Sequence, residues 1–131
     1  MLLAIVYHFF SPQKYNNKKS ILDYNSTIIF EAVELVIIII LIIYCIFYKC
    51  LINGLVLSGV FIEHLLQLHY CYRQNGGSLR NNITGLAYMI LILYNIVKQK
   101  YIFILIWTLG LSVHIISYVS GKSFSSKLCL N

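Results

Sequence analysis

Acidic residues are scarce in this chain. Of 131 residues, only Asp23, Glu31, Glu34 and Glu63 are acidic, and all charged residues together make up 11%. A soluble domain averages about 25% charged residues, so a water-facing surface of ordinary composition is excluded. Proline occurs once, at Pro12, so nothing after it removes a helix donor. The four cysteines (Cys45, Cys50, Cys71 and Cys129) form no C-x-x-C pair, and no His–Cys spacing matches a zinc site. No metal and no other cofactor is therefore expected. The Gly-rich stretch 73–80 lacks the Lys-Ser/Thr of a phosphate loop. No nucleophile–base constellation or nucleic-acid module is present, which argues against an enzyme acting alone, a small-molecule substrate bound alone, or a nucleic-acid partner. The apolar residues 1–10 have no basic stretch before them and no small-residue cleavage site after them. They read as an interfacial or partner-packed segment.

What the chain has in abundance is apolar length. Hydrophobic residues make up 60% and mean hydropathy is +0.80. Apolar stretches of about 18 residues or more read as membrane-spanning helices. The expected architecture is all-α, an integral membrane protein of helical hairpins with a lipid bilayer around it. Three regions are expected: an apolar and polar extension over 1–25, a transmembrane helical domain over 26–119, and a short basic tail over 120–131. The net charge of +6 comes from Lys and Arg flanking the apolar runs, which suits topology-setting loops. Heavy use of Ile, Leu, Tyr, Asn and Lys resembles AT-rich coding, as in many mitochondrial genomes.

The first span is expected at about 26–48, with Asn25, Ser26 and Thr27 as N-cap candidates. A short turn over Lys49 to Gly54, with Asn53-Gly54 as the breaker, leads to a second span at about 51–72. On that helix Asn53, Gly59, Glu63, Gln67 and Tyr70 are expected on one side, facing protein. Leu55, Leu57, Phe61, Leu65 and Leu68 are expected opposite, facing lipid. Gly54, Ser58 and Gly59 would admit a close neighbour. Beyond residue 82 two readings stand. In one, Lys98-Gln99-Lys100 is a tight turn between a third and a fourth span. In the other, one long third helix carries Lys98 near mid-membrane. Three or four transmembrane helices are thus expected, and the distribution of basic residues favours four.

The three glutamates carry the chemistry, because an ionisable group inside a membrane is costly and marks a functional site by default. Glu34 lies about 17 residues before the first turn and Glu63 about 12 after it, a depth difference of roughly 8 Å. Glu31 stands one turn from Glu34. Glu31, Glu34 and Glu63 form a candidate proton path, with Lys98 as counter-charge if it is buried. The bland alternatives are interfacial carboxylates near a helix N-terminus, a structural ion pair with a partner, and a solvated turn at Lys98. His64 and His114 leave a haem b ligand pair as a further option.

Two patches resemble a known family. Tyr48-Lys49 followed by 51–63 is similar to the basic turn and second helix of subunit 4L of mitochondrial NADH–ubiquinone oxidoreductase (complex I), subunit K in bacteria. Asn82-Ile83-Thr84-Gly85-Leu86-Ala87, running on to Asn95, resembles that family's third helix. The resemblance implies a multi-pass subunit of the mitochondrial inner membrane that takes part in proton translocation beside other membrane subunits of a respiratory complex, with Glu63 as the second-helix glutamate. Asn95 stands where the family has a further carboxylate, with Lys98 nearby. The alternatives are a purely structural subunit of such a complex and a quinone or haem anchor of the succinate dehydrogenase type.

Overall fold

The computed structural model describes residues 20–70, 79–126 and 128. The segments at 1–10, 11–19 and 73–78, together with Cys71 and Cys129, lie outside the described residues. The described residues form four helices and no strand: α1 (Tyr24–Phe47), α2 (Leu51–Tyr70), α3 (Leu79–Val97) and α4 (Tyr101–Ser120). The all-α expectation holds. α1, α2 and α4 are long and apolar enough to cross a membrane. In α3 the apolar part is only Ile83–Val97, about 22 Å of helix against a hydrocarbon core of about 30 Å.

The chain divides into two compact units, each built on one helical hairpin. The first pairs α1 with α2 and includes residues 125, 126 and 128; the second pairs α3 with α4 and includes residues 20 and 21. The single long third helix is overturned: the helix stops at Val97, and Lys98 is exposed in a turn.

Both hairpins reverse by the same device. The helix ends with one residue in the left-handed conformation, Lys49 at φ 56° and Gln99 at φ 58°. The next amide reaches back five residues, Cys50 N–H to Cys45 O at 3.0 Å and Lys100 N–H to Asn95 O at 2.9 Å. This is a Schellman closure, which satisfies carbonyls that a helix end leaves open. Glycine normally fills that position; here Lys49 and Gln99 do, the second within the expected Lys98-Gln99-Lys100 turn and the first at the near end of the expected one. Asn53-Gly54, expected as the breaker, lies within α2 instead. There Asn53 is buried, and a Cβ on residue 54 would lie 3.1 Å from Cys45 Cβ.

Counting outward from each turn gives the seam. Cys45 and Asn53 stand four residues either side of Lys49, Leu41 and Leu57 eight; all four are buried. In the second hairpin Asn95 and Phe103 stand four residues either side of Gln99, Leu91 and Trp107 eight; all four are buried too. The two seams fall 50 positions apart, and Leu41/Leu91, Tyr44/Tyr94, Ile52/Ile102, Leu55/Leu105 and His64/His114 are identical at that offset. The second hairpin therefore repeats the first.

Outward faces are apolar: Ile40, Leu55, Leu93 and Leu105 are about 60% exposed. Thr27, Asn53, Asn95 and Ser117 are buried. Polar groups inside and branched aliphatics outside suit a protein with lipid as its solvent. Local hydroxyl bonds meet the same need: Ser58 donates to Gly54 O at 2.8 Å and Thr108 to Ile104 O at 2.6 Å, again at matched positions.

α1 begins two residues earlier than expected. Its cap is Asp23, whose Oδ1 accepts from Ser26 N–H at 2.7 Å. That bond holds the carboxyl below its ordinary value of 3.8. Thr27, expected as a cap, instead donates its hydroxyl to Asp23 O at 2.7 Å and accepts Ser126 N–H at 2.8 Å. Ser126 Oγ closes the joint by donating to Leu22 O at 2.6 Å. α4 ends at Gly121, left-handed at φ 66°.

Candidate functional site: a histidine between two glutamates

Glu31 and Glu34 lie one helical turn apart on α1, so their side chains share a face. Fifteen residues before Lys49 is Glu34; fifteen after it is His64. The hairpin register that pairs Leu41 with Leu57 thus brings His64 opposite the two glutamates. His64 Nδ1 lies 3.0 Å from Glu31 Oε2, and Nε2 lies 2.7 Å from Glu34 Oε1. The side chains of His64 and Glu31 are 14% and 12% exposed and that of Glu34 29%, so the trio is largely withdrawn from the surface. By helical rise it sits about 22 Å from the turn, in the part of the hairpin remote from Lys49.

The geometry sets the proton count. A neutral imidazole has one N–H donor and one acceptor nitrogen, whereas an ionised carboxylate only accepts. Two short contacts, one at each ring nitrogen, therefore require two bridging hydrogens. Either the ring is an imidazolium between two carboxylates, or it is neutral with one glutamate protonated. Both states carry a net charge of −1, and they interconvert by moving one hydrogen along a bond of 2.7 or 3.0 Å. The cluster is a chain of three titratable side chains joined by two short contacts.

Glu31 and Glu34 are brought together as their spacing suggests, but their partner is His64. Glu63 is half-buried at the preceding position of α2, outside the convergent trio. The expected helix face was turned by about one residue: Leu57 lies on the buried side, and Gly59 has open space where a Cβ would go. The inward stripe runs from the buried Asn53 and Leu57 to the half-buried His64. The signal that finds His64 is the count of residues on each side of the turn, which needs the turn placed at Lys49. Lys98 belongs to the other hairpin, exposed.

The equivalent place in the second hairpin carries no carboxylate. Thr84 and His114 stand fifteen residues either side of Gln99, so Thr84 occupies the place of Glu34. The His114 ring meets Tyr88 edge-on at 5.2 Å, and Tyr88 stacks on Trp107 at 5.5 Å. A Cβ on Gly110 would lie 3.0 Å from the Tyr88 ring, so the glycine makes room for this aromatic group. Comparison with protein families, with curated proteins and with solved structures gives no match to the chain.

Proposed function

We propose that this multi-pass membrane protein passes protons through the α1–α2 hairpin, with Glu31, His64 and Glu34 as the stations. The observation that carries the reading is the imidazole held between two carboxylates on facing apolar helices. Burial makes each charged state costly alone, and a shared hydrogen lowers that cost. Intramembrane carboxylate–histidine chains suit proton relay. Glu63, half-buried one residue from His64, is the candidate next station.

The narrower form of the reading makes the chain a proton-path subunit of NADH–ubiquinone oxidoreductase in the mitochondrial inner membrane, with other membrane subunits as partners. Its support is the likeness of two short patches, with Glu63 and the buried Asn95 at the corresponding positions. The haem-anchor alternative is disfavoured by His64 itself, since both of its nitrogens already face carboxylates.

The test is proton flux across vesicles containing the full chain, read with an entrapped pH-sensitive dye. Glu34→Gln keeps the shape and removes the exchangeable acid. A loss of tenfold or more with normal insertion is expected. Unchanged flux would sink the reading, and failed insertion of both Glu34→Gln and Glu31→Gln would favour a structural subunit. Co-purification in mild detergent with, or without, NADH dehydrogenase subunits decides the narrower form.

A further inference from the structure

We propose that the cluster also takes a divalent transition-metal ion, held between His64 Nε2 and Glu34 Oε1 with Glu31 orienting the ring. This rests on the same three residues as the proton reading but on different physics. Potential ligand atoms of Glu31, Glu34 and His64 all lie within 4.8 Å of one another. Two carboxylates in an apolar hairpin carry two formal negative charges. One dication cancels both, leaving a neutral group, which is the least costly state in a low-dielectric setting. A monovalent cation leaves one charge uncancelled and gains little from an imidazole ligand.

The donor set narrows the ion. Imidazole with carboxylate suits zinc, iron, manganese or nickel, whereas calcium and magnesium take oxygen alone. The arrangement around His64 matches the carboxylate–histidine–metal pattern, in which one ring nitrogen binds the ion and the other donates to a carboxylate that fixes the tautomer. Glu31 at 3.0 Å from Nδ1 is that carboxylate, and Glu34 at 2.7 Å from Nε2 is the second ligand. In a tetrahedral zinc site, ligand atoms stand about 3.3 Å apart, from bond lengths of about 2.0 Å. Opening the Nε2–Oε1 gap by about 0.6 Å, within the reach of one Glu rotamer, admits the ion. Water or the second Glu34 oxygen completes the coordination. The other acidic or basic side chains on the two helices are Glu63, half-buried beside His64, and His69, exposed toward the far end of α2; Lys49 is exposed at the turn.

The experiment is Co²⁺ titration of the full chain in detergent, followed by its visible absorption bands and by competition with Zn²⁺. One ion per chain is expected, displaced by Zn²⁺. Glu34→Gln should weaken binding about 100-fold and alter the bands. Glu31→Gln should weaken it by about 10- to 100-fold with the band shape kept, as expected of an orienting residue. His64→Asn should abolish the bands, and His114→Asn should change nothing. Absence of saturable Co²⁺ binding, or binding that survives His64→Asn, overturns the metal inference while leaving proton flux to stand or fall on its own assay.

Discussion

The two hairpins share a turn, a seam and a histidine, yet differ in what they place beside that histidine. In α1–α2 the ring sits between two carboxylates; in α3–α4 it leans on a tyrosine. The difference teaches that the hairpin is a scaffold whose register sets a histidine fifteen residues from the turn. The residues at the facing positions, not the fold, decide whether that histidine meets carboxylates or an aromatic ring. The seam shows the same exchange on a smaller scale, with Cys45 and Asn53 in one hairpin and Asn95 and Phe103 in the other. Asn95 satisfies itself by donating to Leu91 O at 2.8 Å, so an apolar partner is tolerated across from it.

The largest expected effect separates the two histidines. His64→Leu leaves two carboxylates without their shared donor, and the loss is expected to be about 3 kcal/mol. His114→Leu removes a ring contact with Tyr88 and should cost about 1 kcal/mol. Denaturant unfolding in detergent, read by circular dichroism, measures both; equal losses would break the comparison.

The two close approaches come next. Gly54→Ala and Gly110→Ala press a methyl group onto Cys45 and onto the Tyr88 ring, at a cost of about 1–3 kcal/mol each. Gly59→Ala enters open space and should be neutral or stabilise by up to about 1 kcal/mol. The same unfolding assay ranks them, and a costly Gly59→Ala would mean that its face is covered.

The turns should respond alike. Lys49→Gly and Gln99→Gly each relieve a left-handed side-chain-bearing residue, with a gain of about 1 kcal/mol. A gain at only one would mean that the closures differ in more than sequence.

The smallest effect belongs to the cap, which the first hairpin alone places at an aspartate among the described residues. Asp23 is held below its ordinary value by the Ser26 amide. Its contribution is therefore fully present above about pH 4 and is lost as acid carries the solution through the lowered value. Thermal stability of Asp23→Asn against the parent between about pH 6 and pH 2 should converge toward the acid end.

Much of the fold was legible because hydropathy alone marks helices that lipid can surround. Span limits came within a few residues for α1 and α2. The second turn was legible at Lys98-Gln99-Lys100 as a basic break between two apolar runs; the first was legible only as a stretch over 49–54, because lysine occupies the place where glycine is the usual signal. The face of α2 is readable from its polar residues only approximately: grouping them puts Glu63 inward, whereas the register across the turn sets His64 against Glu31 and Glu34. Glu31 and Glu34 were readable as a pair because their spacing is local; their partner was not, because it depends on counting across a turn. The duplication was present as identities 50 positions apart, but in a chain so rich in Ile and Leu such matches are visible only once the two turns are known.

Thr27 and Leu22 receive their bonds from Ser126, 99 and 104 positions later in the chain. During synthesis the first hairpin therefore emerges with its entrance unlatched and stays so while the second is made. A ribosome stalled before residue 126 would display the helical pair without the clasp at its mouth.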